Sequence, residues 1–259
     1  AACDEEYEPS SEYDSSFALQ IFAAREAVFK ILAKESLSIH EKLIVILDMG
    51  SKIQQCINTD EYDNIKSVVN DYLKEGIAHT LDETRNLSDS GQFEDISLQQ
   101  GIRQILYPYE EMEVLNPEWE VILKDIIDSL FEQMSDEEYN ILNEEFGTYM
   151  VSRAYEYRQL LEYLVFRYFA KSIYDYDFLG KCQMLVTNFF VIRQMDIIRW
   201  LDNHREYSFK DRMDVVHIFS RQVEYSEDNI ENLYEDFIFD DIFKTDSLIA
   251  ILWIDSENI

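Results

Sequence analysis

Hydrophobic and polar positions alternate at three- and four-residue spacing along most of the chain, and the polar side is lost in one stretch, Tyr155 to Trp200. There Leu160, Leu161, Tyr163, Leu164, Val165, Phe166, Tyr168, Phe169, Ile173 and Tyr174 follow one another with no Gly or Pro before Gly180. The run is too long for a strand and apolar on most sides of a helix, which predicts a central, buried helix. Past the turn at Asp175 to Gly180, a second run carries Met184, Leu185, Phe189, Phe190, Ile192 and Met195 to Trp200. It too has more apolar surface than one face can use, so other helices must cover the pair.

The flanks show one-sided periodicity. Phe17, Ile21, Val28, Ile31 and Leu32 predict a helix that stops near Glu35. Ser38 with Glu41 three residues on is a capping box, opening a helix to about Ile57, and a third helix is expected from Asp60 to Leu81. Ser88, Asp89, Ser90 and Gly91 interrupt the pattern, marking Asn86 to Ser97 as a loop or a boundary between lobes. Pro108 and Pro117 add breaks, with Asn116 and Pro117 reading as N-cap and first residue of a helix to about Met134. Ser135 with Glu138 and Ser208 with Asp211 cap two further helices. One or two closing helices follow Asn229. The hairpins Arg25 to Ile53 and Arg193 to Val223 share a layout, which is either what any two capped helix-turn-helix units would show or an internal duplication.

Six Gly and three Pro in 259 residues are too few for the turns of an all-β fold. The expected class is therefore all-α, a multi-helix bundle of about nine to eleven helices. Residues 1–15 form an acidic, loosely ordered lead-in; 16–86 hold N-terminal hairpins; 98–259 hold the main bundle around 155–200, in two lobes or one continuous domain.

Charge then narrows the partners. A net charge of −31 repels nucleic acid and anionic membranes, and the aromatic stretch is broken by Arg158, Glu162, Arg167 and Lys171, so no membrane span is expected. Cys3, Cys56 and Cys182 are scattered and odd in number, which fits a reducing, cytoplasmic compartment better than a disulfide framework. The Ala1-Ala2-Cys3 start, without Met, suggests a fragment or trimmed chain, or the end of a lipoprotein cleavage box. The acid is also unevenly spread. Arg153 to Arg221 holds 11 of the 22 Lys and Arg against 9 of the 53 Asp and Glu, so the centre is near neutral inside an acidic shell. Arg158, Arg167, Arg193, Arg199 and Arg221 could turn inward toward an anionic ligand group or pair with carboxylates of neighbouring helices.

No GxGxxG, Walker sequence, CxxC or HExxH is present, and only Asp214 to His217 comes near the Glu-x-x-His spacing of di-metal bundles. The sharpest polar pattern is Asp214, His217, Arg221, Glu224 and Asp228, whose spacing of three and four places all five on one helix face. Such a stripe is either ligand-facing, with His217 as proton acceptor and Arg221 as anion clamp, or a solvated face laced with salt bridges.

The segments Leu161 to Phe169 and Val216 to Ser226, joined by the Arg193 to Trp200 helix, resemble the C-terminal helical part of the flagellin lysine N-methylase family, and Arg25 to Leu47 resembles the hairpin after that family's cysteine-rich region. The resemblance implies methyl transfer from S-adenosylmethionine to lysines of flagellin or another lysine-presenting protein. It implies Glu224 and His217 as catalytic residues and Arg221, Arg167 and Asp214 as ligand-binding ones. The family's cysteine cluster, expected to hold a metal or iron–sulfur centre, is missing here except for Cys3 as a remnant metal ligand, and Tyr225 stands where a second His is expected. The alternative is a non-catalytic acidic helical module that docks a basic protein partner.

Overall fold

The computed structural model describes residues 15–89 and 96–257. In chain order the helices are α1 (Ser15–Leu32), α2 (Ile39–Asn58), α3 (Ile65–Asp71), α4 (Ile77–Asp89), α5 (Leu98–Glu110), α6 (Pro117–Ile126), α7 (Asp136–Met150), α8 (Ala154–Tyr168), α9 (Ser172–Asp175), α10 (Phe178–Asp202), α11 (Phe209–Phe219), α12 (Glu227–Phe239) and α13 (Thr245–Glu257). Among the described residues there is no strand, and the fold is an all-α multi-helix bundle. Among the described residues, no helix is long and apolar enough to cross a membrane. The lead-in with Cys3, and the middle of the expected 86–97 loop, lie outside the described residues.

The axis of the bundle is α10, buried at every position from Gly180 to Ile198. Its 25 residues have too few polar side chains for a wet face, so α2, α5, α6, α8, α11, α12 and α13 pack around it. Gly50 lets α2 approach closely, since a Cβ there would lie 2.5 Å from the Cys182 Sγ. The first of the two expected buried helices is different. α8 buries Leu160, Leu161, Leu164 and Val165 but exposes Tyr155, Tyr163 and Phe166, so it is an outer helix with an aromatic surface. Tyrosine hydroxyls make that tolerable, and a solvated Phe166 carries no hydrogen-bonding debt.

Local chemistry sets the helix ends as expected. All three capping boxes, Ser38 with Glu41, Ser135 with Glu138 and Ser208 with Asp211, are closed on both sides, and Asn116 caps α6 with Pro117 in its first turn. Two boundaries differ. Pro108 does not break α5 but sits in its last turn, where the carbonyl that loses its partner belongs to exposed Gln104. The helix expected from Asp60 to Leu81 runs on to Asp89, through a π turn at Tyr72–Gly76. Further π turns follow α6 at Ile127–Glu132 and α11 at Ser220–Glu224.

Two buried ionic networks lock the helices. Asp196, fully buried on α10, accepts from the Tyr157 hydroxyl at 2.6 Å and from the Tyr207 hydroxyl, and pairs with Arg212, whose Nε reaches Glu156 at 3.1 Å. On the other side His40 Nε2 lies 2.6 Å from Asp255, and Arg193 donates to Asn143 Oδ1 at 2.9 Å, with its Nε 3.8 Å from the Asp255 carboxylate. Burial works against the Asp255 charge, but Arg193 and His40 outweigh it and hold the carboxyl down at about 2. A depressed carboxyl adds stability above its unfolded value, near 4, and that stability is lost as pH falls through the folded value. Urea denaturation should therefore show a stability loss of about 2 kcal/mol from this group between about pH 4 and pH 2. Asp255→Asn should start less stable and titrate more flatly there; an unaltered acid limb would remove Asp255 as its source.

Candidate active-site groove

Three helices present one face each to a common groove. On α6 the residues Glu118, Val121, Ile122 and Asp125 recur at spacings of three, one and three, and Asp214, His217 and Ile218 on α11 with Arg221 in the π turn that continues it repeat that spacing. The end of α10 adds Ile198, Arg199 and Asp202. Together they enclose about 600 Å³, within the range of small-molecule sites. Ile122, Ile198 and Ile218 are nearly fully buried and form an apolar base. Glu118, Asp125, Asp202, His217 and Arg221 stand exposed, with Asp214 and Arg199 half-buried.

The groove carries both signs of charge. Four carboxylates come from three different helices, and two guanidiniums face them. Arg199 and Arg221 make no ion pair among the described residues, although Asp211 senses Arg199 electrostatically. The other expected anion holders are occupied: Arg193 by Asn143 and Asp255, Arg167 by Glu224, and Arg158 by Glu162 at 3.9 Å. The remaining open arginines of that set are thus the two in the groove. His217 lies one turn from Asp214 and one from Arg221, the only imidazole on this lining.

The five-residue stripe does not stay on one face. Asp214, His217 and Arg221 line the groove, but the π turn at Ser220–Glu224 inserts a residue's worth of rotation and carries Glu224 round to α8. There Glu224 is 7 % exposed, accepts from the Tyr163 hydroxyl at 2.7 Å and lies 3.2 Å from Arg167 Nε. Burial pushes the Glu224 carboxyl up, opposed by Tyr163 and Arg167, while burial and the Glu224 hydrogen bond push Tyr163 up to about 12. Glu224 and Arg167 therefore form a second cluster, tying the π turn to α8, and no residue of α8 lines the groove. Asp228 stands exposed on α12.

Asp202, Glu118 and Asp125 were not singled out from the sequence, whereas Arg199 was one of the five arginines expected either to turn inward or to pair with a carboxylate. Arg199 and Asp202 share the i, i+3 spacing that marks one helix face, and Glu118 and Asp125 an i, i+7 spacing; both signals are common on any acidic helix. For a metal, the donor set is thin. Among the described residues no group of three or more His, Cys, Asp or Glu converges, and burial pushes the thiols of Cys56 and Cys182 up, against the thiolate form a metal needs.

Chemically, the carboxylates suit a cation, the two guanidiniums suit a carboxylate, and the imidazole of His217 is a candidate proton acceptor on the same lining. A family model described as FliB lysine N-methylase C-terminal domain matches residues 25–251, a span that holds every groove residue. No curated protein and no solved structure matches the chain.

Proposed function

The chain belongs to the family of FliB lysine N-methylase C-terminal domains, and on that premise we propose that its α6–α10–α11 groove brings a lysine of flagellin, or of another lysine-presenting protein, to S-adenosylmethionine. The observation that carries this reading is the mixed charge of the groove. A donor with an α-carboxylate, an α-ammonium and a sulfonium fits a lining of two open guanidiniums and four carboxylates, and a volume of about 600 Å³ suits a nucleoside-sized molecule.

S-adenosylmethionine, when bound, supplies the electrophilic methyl group. The side chains do the rest. Arg199 and Arg221 hold the donor carboxylate. Asp214, Asp202 and the α6 acids draw in the substrate ammonium, whose proton must leave before its nitrogen lone pair can attack. His217 takes that proton, and the apolar isoleucine base limits water around the reacting atoms. The acidic shell of the chain favours approach of a lysine-bearing surface.

Methyl transfer to flagellin by the full-length protein tests the assignment. His217→Gln should lower the rate at neutral pH by about 10²–10⁴-fold, the usual worth of a positioned base. The deficit should shrink at high pH, where lysine loses its proton without help. Glu224→Gln, outside the groove, should stay within a few-fold of wild type. A fully active His217→Gln, or a rate lost only in Glu224→Gln, would move the chemistry out of the groove.

A further inference from the structure

Beside the groove, around the same end of α10, lies a depression built for a cation. One face of α7 supplies Glu144, Glu145 and Tyr149, and α10 supplies Trp200, enclosing about 530 Å³. The rings of Tyr149 and Trp200 are 5.6 Å apart at 47°. Tyr149 is fixed, since its hydroxyl accepts from the Tyr207 backbone N–H at 2.9 Å. Trp200 is only 3 % exposed, and its indole N–H, also buried, finds no acceptor among the described residues. Aromatic faces backed by carboxylates attract cations, alkylated ammonium groups above all, and the C-terminal end of a long helix adds negative potential.

The protein already places a cation there. The Arg205 guanidinium stands 5.2 Å from the centre of the Trp200 ring and its Nη1 lies 2.7 Å from Glu145 Oε2. It is held by a helix ending in which Arg205 N–H bonds to the Trp200 carbonyl at 2.7 Å and His204 N–H to the Leu201 carbonyl at 3.0 Å. That ending normally sets a glycine in the left-handed conformation and an apolar contact across the last turn. Here His204 and Arg205 both have positive φ, at 56° and 68°, and a cation–π contact replaces the apolar one. Two left-handed side-chain-bearing residues in succession are strained, a backbone cost that glycine would not carry there.

We infer that the Trp200–Tyr149–Glu144–Glu145 depression is a binding site for a methylated lysine side chain of the protein substrate, and that Arg205 occupies it until such a side chain arrives. The identity of the occupant rests on the methylase reading; the preference for an alkylammonium rests on the rings and carboxylates alone. Position supports the occupant. The concavity formed by the 202–208 segment shares Asp202 with the reactive groove and Tyr149 and Arg205 with this depression, so the three adjoin in sequence around the α10 end. A lysine already methylated would then hold the substrate while a neighbouring one enters the groove.

The test uses N-acetyl-trimethyllysine amide as probe and the indole N–H signals of the isotope-labelled chain as readout, with Trp200→Phe identifying the Trp200 signal. The probe should shift that signal saturably, and N-acetyl-norleucine amide, the same shape without charge, should not. Arg205→Gly, which suits the left-handed backbone, and Arg205→Gln, which keeps the side-chain length, should each bind the probe about tenfold more tightly. Glu145→Gln placed in the Arg205→Gly variant should bind it more weakly than Arg205→Gly alone, and equal binding by the two removes Glu145 from the site. No probe-dependent shift in wild type and both Arg205 variants overturns the site and leaves Arg205 as a helix-ending contact. Equal affinity in wild type and both variants overturns the resident role of Arg205. Because the probe needs no donor and no turnover, these outcomes stand apart from success or failure of the methylase assignment.

Discussion

Replacing Asp196 by Ala is expected to remove about 3–5 kcal/mol of folding stability, the range for breaking a buried ion pair from one side. Asp196 is fully buried, and its loss strands Arg212, itself 5 % exposed, together with the hydroxyls of Tyr157 and Tyr207. Arg212 keeps Glu156, but that carboxylate also serves Arg153 at 2.8 Å and cannot fill the vacated place on α10. The urea midpoint should fall with little change in slope. The control is Asp196→Leu with Arg212→Met, which removes both charges and should recover much of the loss, since the penalty lies in the unpaired partner rather than in the absence of the pair. An unchanged midpoint in Asp196→Ala would mean that water reaches Arg212 and that the region is not the closed core described above.

Removing both open guanidiniums, Arg199→Ala with Arg221→Ala, is expected to have the other large effect, on ligand binding with the fold intact. Each guanidinium is proposed to make charge-assisted hydrogen bonds with the donor carboxylate, worth about 1.5–3 kcal/mol apiece. Each single variant should weaken donor binding by about 10–100-fold, and the pair by more than either. Stability should barely change, because neither residue makes an ion pair among the described residues and Arg221 is exposed. The matching control, Arg167→Ala, breaks the Glu224 pair and should disturb the α8 contact while leaving donor binding alone.

What was legible in the sequence was local or periodic. Helix starts at Ser38, Asn116, Ser135 and Ser208 are written in side chains two or three residues from the groups they satisfy, and each closes as expected. The burial of α10 followed from a run with no polar face. α8 departs from that pattern, because a count of apolar residues does not reveal that Tyr155, Tyr163 and Phe166 share an outward side. The stripe from Asp214 to Arg221 was read correctly as one face. Its extension to Glu224 assumed uninterrupted α-helix, and nothing in Ser220 to Glu224 announces a π turn. Arg199 stood out from the sequence only as one of five arginines that could turn inward, for a related reason. It sits in the most apolar run of the chain, and only the packing of α6 and α11 around that end of α10 shows that it opens on a groove. The buried arginines tell the converse story. Arg193 looked as available as Arg199, and Asp255, the long-range carboxylate beside it, is invisible to spacing, as is the claim of Asp196 on Arg212.

The claim on which the functional account turns is that the α6–α10–α11 groove binds S-adenosylmethionine through Arg199 and Arg221. Isothermal titration of S-adenosylmethionine into the wild-type chain and into the Arg199→Ala, Arg221→Ala double variant, with circular dichroism matched between them, addresses it directly. The account predicts saturable one-site binding by the wild type and binding at least about 100-fold weaker in the variant. The same affinity in both, or no binding by the wild type, would contradict it.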